Sequence, residues 1–134
     1  MLKTPNIIET PWGHEETWAN APSYTGKILV IKPNQRLSRK YHKMRGHTIR
    51  VLEGDLTIEV GPSETQDEIT EVKLSTANGL SYHIPAMVIH RICAGPQGAK
   101  LVEVSNAFAD DFVRLEDDYR RVTDIPPAIR TSGK

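Results

Sequence analysis

Short apolar runs, cut by glycine and proline, make up most of this chain, and no long stretch has helical periodicity. From Lys27 to Lys32 the run Lys-Ile-Leu-Val-Ile-Lys is rich in β-branched residues and stops at Pro33-Asn34, a turn signal. His47 to Leu52 reads as a strand, with Ile49 and Val51 on the same face as His47. Gly54-Asp55 then predicts a tight hairpin into Leu56 to Val60, where apolar and polar residues alternate. Gly61 to Glu68 is polar and predicts an exposed loop. Further strands are predicted over Ile69–Leu74, Leu80–Ile84, Val88–Cys93 and Lys100–Ser105.

Many short strands at close spacing specify an antiparallel sandwich or barrel, so the fold class is all-β. Closing the sheet into a barrel removes the edges that such strands otherwise leave exposed. Asp110 to Arg121 is the one segment predicted as a short helix, and the tail around Pro126-Pro127 is expected to be irregular. Trp12 and Trp18 read as packing residues that seal the barrel, and acidic runs such as Glu116–Asp118 as solvated surface.

The 134 residues fit one domain, and 38% hydrophobic content fills one core. Seventeen basic residues balance seventeen acidic ones. That balance supplies no basic field for nucleic acid or for an anionic membrane, so neither is expected as a partner. Cys93 is the lone cysteine, which fits a reducing compartment and gives no sign of a cysteine-based zinc site. With no apolar run of signal-peptide or membrane-spanning length, the expected location is cytoplasmic.

Three of the five histidines, His42, His47 and His90, fall in or beside predicted strands. His42 and His47 are five residues apart, which puts them on opposite faces of one continuous strand. They can share a site only if Arg45-Gly46 turns the chain between two strands. Three imidazoles with an open position suit a catalytic divalent metal such as Zn, Ni, Fe or Mn. Scattered histidines near strand ends are also commonly surface or satisfied core residues. Their placement around glycine and proline landmarks shifts that balance.

The segment His42-x-Met44-x-x-His47-x6-Gly54 has the form of a first cupin motif, and Gly79-x5-Pro85-x-Met87-x-x-His90 that of a second. Pro11-Trp12-Gly13-His14-Glu15-Glu16, Gly26-Lys27-Ile28-Leu29, Arg36-Leu37-Ser38, Tyr82-His83-Ile84-Pro85 and Val113 to Tyr119 follow in family order. Together they resemble the small single-domain relatives of type II mannose-6-phosphate isomerase, a family that also supplies the C-terminal domain of mannose-1-phosphate guanylyltransferases. The resemblance runs from about Pro11 to Arg121 and implies a cupin jelly-roll barrel. Residues 1–25 would form an N-terminal arm and lead-in strand, 26–108 the cupin barrel, and 109–134 a short helix and irregular tail. By analogy it implies a homodimer.

The family pattern implies a Gln, a His, a Glu and a second-motif His as metal ligands. Lys40 stands at the Gln position and His47 at the Glu position, while His42 and His90 match. Met44 sits where longer members have another His. Asn34, Met87 and Arg120 occupy positions where the family has glycine. A protonated Lys40 would repel a dication, so it must lose its proton, bind an anion or point elsewhere. The implied activity is aldose–ketose isomerisation of a phosphorylated or nucleotide-linked sugar. His42, His47 and His90 would hold the metal, Glu103 or Lys40 would shuttle protons, and Lys40, Arg50 or Arg114 would hold phosphate. Two other readings compete: a three-His Fe(II) oxygenase, and a non-catalytic sugar- or metal-binding cupin.

Overall fold

The computed structural model describes residues 1–61, 69–107 and 111–121. Nine strands follow one another: β1 (Asn6–Thr10), β2 (Gly13–Asn20), β3 (Tyr24–Ile31), β4 (Arg39–His42), β5 (His47–Val60), β6 (Thr70–Ser75), β7 (Ser81–Ile84), β8 (His90–Asn106) and β9 (Phe112–Glu116). All pairings are antiparallel within one sheet. No helix occurs among the described residues, and none is long and apolar enough to cross a membrane.

The long strands β5 and β8 run through both halves of the molecule. The first half of β5 pairs with β7 and with the end of β8, which also pairs with β3. Its second half pairs with β6 and with the start of β8, which meets β4 through the single pair Lys40–His90. Two leaves therefore share β5 and β8 and fold on each other around Ile49, Val51, Leu56, Ile58, Ile84, Ile92 and Leu101. The curl stays open among the described residues, because β6 and β7 each pair only with β5. Full closure of the sheet was expected and is not what the ladder shows.

The fold line runs through Gly54. The expected hairpin at Gly54-Asp55 is instead a pair of register shifts inside the continuous β5. Gly54 takes φ +80°, and a Cβ there would lie 2.1 Å from the Gly98 carbonyl oxygen. Only glycine lets the two long strands bend at such close approach. In the same way, the two runs predicted at Val88–Cys93 and Lys100–Ser105 belong to one strand, β8.

The expected helix over Asp110–Arg121 is also replaced, by strand β9 at Phe112–Glu116. Its backbone pairs with β4, and its acidic side chains answer buried arginines of the barrel. Arg39, fully buried, meets Glu116 at 2.5 Å and Glu59 at 2.7 Å. Buried Arg91 meets Asp118 at 2.7 Å, and Arg36 meets it at 2.6 Å. Within the run Glu116–Asp118, Glu116 and Asp118 stay exposed to solvent, as expected, and also serve as ion-pair partners. Tertiary pairing overrides the helical pattern here. Residues 62–68 and the Pro126-Pro127 tail lie outside the described residues.

Asn34, Met87 and Arg120 adopt φ of 58°, 69° and 54°. At all three positions where glycine was expected, the backbone keeps the left-handed conformation with a side chain in place. Trp12 is buried in the core as expected. Trp18 is instead 45% exposed, lying over Gly26 at a bulge in β2.

Candidate metal centre

His42 ends β4, His47 begins β5 and His90 begins β8, so three strand termini meet at one mouth of the curled sheet. The chain turns between His42 and His47, and both side chains point inward. The ring centroids lie 5.1 Å (His42–His47), 5.2 Å (His47–His90) and 6.0 Å (His42–His90) apart. One nitrogen from each ring lies within 4.8 Å of the others, and all three residues are buried. They line a cavity of about 270 Å³.

Each ring has an acceptor at Nδ1. His42 Nδ1 is 3.0 Å from Asp111 Oδ1, His47 Nδ1 is 2.8 Å from Glu103 Oε1, and His90 Nδ1 is 2.9 Å from the Val88 carbonyl oxygen. A carboxylate or a carbonyl only accepts, so each Nδ1 carries a hydrogen, and a neutral ring then has its lone pair at Nε2. The Nε2 atoms of His47 and His90 are buried with no hydrogen-bond partner among the described residues. Unpartnered buried nitrogens are costly alone and natural as metal ligands. Burial, and then neighbouring His47, lowers His42 to about 4 and His90 to about 3, so both rings are neutral at pH 7. The donor set fits a divalent metal of the Zn, Ni, Fe or Mn kind.

Lys40 enters the same cavity, as the two-residue spacing from His42 predicted. Its ammonium lies over the Phe112 ring at 5.0 Å. Burial, and then the Arg114 charge, lowers it to about 8. Arg114 also lines the cavity and donates to Ser38 Oγ at 3.2 Å. Lys27, Arg45 and Arg121 add further positive charge to the lining, against Glu15 and Glu103.

Two expected roles change. Arg50 is exposed and absent from the cavity, because the alternation that turns His47, Ile49 and Val51 inward turns Arg50 outward. Glu103 lies inside, but both its oxygens are taken, by His47 at 2.8 Å and by Arg45 at 2.5 Å. Burial raises its carboxyl, yet His47 and Arg45 outweigh that and hold it well below the usual carboxylate range. Both Glu103 oxygens thus already face a partner, one on His47 and one on Arg45. Of the pair Tyr82 and His83, Tyr82 packs on the core and His83 reaches Thr48 Oγ1 outside.

Arg45 and Asp111 were not singled out from the sequence. The signal for Arg45 was Glu103 itself, since a buried carboxylate in an apolar strand demands a cation. Asp111 lay in the segment read as helix, where no contact with His42 was foreseeable.

The family described as mannose-6-phosphate isomerase C-terminal matches residues 2–122. No curated protein matches the chain. Among solved structures, the capsular polysaccharide assembling protein CapF from Staphylococcus aureus is 18% identical with a TM-score of 0.73, over 86% of this chain and 32% of its own. KdgF from Halomonas sp. is 14% identical with a TM-score of 0.65, over 79% of this chain and 89% of its own. Oxalate decarboxylase from Bacillus subtilis, a protein with Mn(II) centres, is 13% identical with a TM-score of 0.69, over 83% and 30%. These likenesses show the cupin fold. The chain spans about a third of the CapF chain it matches.

Proposed function

This chain belongs to the mannose-6-phosphate isomerase C-terminal family, and from that membership we propose a metal-dependent aldose–ketose isomerase acting on a phosphorylated sugar. The observation that carries the reading is the meeting of three Nε2-directed imidazoles with a cation-lined cavity. His42, His47 and His90 would hold the metal. When bound, it would polarise the oxygens on C1 and C2 of the sugar.

Lys40 is the proton carrier in this proposal. With its ammonium lowered to about 8, a usable fraction is neutral near pH 7. The neutral amine takes the proton from C2 of the open-chain aldose and the resulting ammonium returns it to C1, while the hydroxyl proton passes from the C2 oxygen to the C1 oxygen, so atoms and charge balance. Arg114 and Arg121 on the β9 side, with Lys27 opposite, supply the positive lining that an anionic phosphate needs. Arg121 is braced by Asp117 at 2.8 and 2.9 Å. Glu103 and Arg45 keep His47 oriented.

The test is incubation of metal-loaded protein with mannose 6-phosphate in D₂O, followed by proton NMR. Fructose 6-phosphate formation with deuterium entering at C1 or C2 supports the proposal. Neither product nor exchange with Zn²⁺, Ni²⁺, Mn²⁺ or Fe²⁺ would overturn it. The all-imidazole ligand set also suits iron, which leaves one other reading, Fe(II) oxygen chemistry. Oxygen consumption by the Fe²⁺-loaded protein separates the two. A homodimer is supported by Ile7, Ile8, Trp18 and Tyr24, exposed on β1, β2 and β3. Light scattering at twice the chain mass is the expected result.

A further inference from the structure

We infer that Asp111 is the positioning residue of this centre: its carboxylate sets the imidazole tautomer of His42 and shapes the turn that carries the chain to His47. The inference rests on the three-histidine reading above. Asp111 gathers donors from four consecutive residues. Oδ1 faces His42 Nδ1 at 3.0 Å, and Oδ2 accepts from the backbone N–H of Met44 at 2.6 Å and of Arg45 at 2.9 Å. Its own backbone oxygen accepts from the Lys43 N–H at 3.3 Å.

Each contact answers a specific need of the site. Five residues separate His42 from His47, so a straight strand would send the two rings to opposite faces. The chain from Lys43 to Gly46 must turn, and its N–H groups then lack strand partners. Asp111 accepts three of them. The remaining oxygen can only accept, so it selects the Nδ1–H form of His42 and leaves the Nε2 lone pair facing His47 and His90. Strand pairing fixes where the carboxylate stands, because His42 and Phe112 are register partners in the β4–β9 ladder. The side chain thus reaches its target across 69 residues of sequence.

His47 and His90 take their Nδ1 acceptors from Glu103 and Val88, on the long strand β8 or just before it. His42 takes its acceptor from the approach to β9, an edge strand that among the described residues pairs only with β4. Orientation of one ligand therefore depends on docking of the C-terminal strand.

The substitution Asp111→Asn separates tautomer selection from turn support. An asparagine oxygen still accepts from the Met44 and Arg45 N–H groups, while its NH₂ faces Nδ1 and can only donate. The His42 hydrogen must then move to Nε2. Imidazole ¹⁵N NMR of metal-free wild type should show His42 as the Nδ1–H tautomer, and the variant should show Nε2–H. Zn²⁺ affinity by calorimetry should fall about 10- to 100-fold. Wild-type His42 found as Nε2–H overturns the inference without recourse to any variant. So does an Asp111→Asn protein with an unchanged tautomer, whatever its metal affinity. A tautomer change in a protein whose wild type binds no Zn²⁺ upholds the role of Asp111 and contradicts the metal reading alone.

Discussion

Lys40 and His90 are register partners in the β4–β8 ladder, so the lysine stem and the ligand imidazole stand side by side on one face of the sheet. At neutral pH most of Lys40 is protonated, its ordinary value being lowered only to about 8. A dication entering the cavity meets that charge. Charges of this kind a few ångströms apart repel by several kcal/mol even at an effective dielectric of about 20.

Exchange of Lys40→Gln removes the repulsion and places a neutral oxygen beside His42. Divalent-metal affinity should rise at least about tenfold, corresponding to roughly 1.4 kcal/mol. Calorimetric titration of both proteins with Zn²⁺, Ni²⁺ and Mn²⁺ checks this, and equal affinities contradict it. If Lys40 also carries the proton, the variant gains metal and loses isomerase turnover.

Glu103 and Arg45 form a buried ion pair that also holds His47. Removing one partner of such a pair leaves a buried charge uncompensated, at a cost of about 3–5 kcal/mol. Glu103→Gln should therefore lower the unfolding free energy extrapolated from urea titration by an amount of that order. The carboxyl is depressed in the folded chain, so its contribution is full above the ordinary value of 4.5 and declines as pH falls below it. The stability curve of Glu103→Gln should be flatter than wild type below that pH.

Burial, and then Glu59, raises the Cys93 thiol from 9.0 to about 11. At pH 8 its thiolate population is about 100-fold below that of an unperturbed thiol, and alkylation by iodoacetamide slows accordingly. Reactivity should rise toward that of a free cysteine on unfolding in urea. Rapid alkylation of the folded protein at pH 8 would contradict the burial described here.

Met87 holds φ 69° with a side chain 63% exposed, so that side chain contributes little packing against the left-handed strain. Left-handed backbone costs a residue with a side chain about 1–2 kcal/mol. Met87→Gly should stabilise the fold by about 1 kcal/mol in thermal or urea unfolding. A loss of stability would show that Met87 packs in solution.

How much of this was legible depends on where the physics is local. The inward face of His47, Ile49 and Val51 followed from period-two alternation, and Lys40 from its spacing to His42. That Asn34, Met87 and Arg120 stand at family glycine positions came from the resemblance, and the structure adds that all three are left-handed. What escaped was decided by partners distant in sequence. Gly54 suits a hairpin or a bulge equally, and only its approach to Gly98 selects the bulge. Phe112, Leu115 and Tyr119 have helical spacing, yet the arginines Arg36, Arg39 and Arg91 claim the acids between and beside them. Asp111 reaches His42 only because β9 pairs with β4.

The central claim is that His42, His47 and His90 bind one divalent ion through Nε2. Titration of metal-free protein with Zn²⁺, read by imidazole ¹⁵N NMR, tests it atom by atom among the five histidines. The account predicts that the Nε2 signals of His42, His47 and His90 shift together, saturate at one equivalent and keep Nδ1–H. Shifts confined to His14 or His83, or no shift at all, would contradict it.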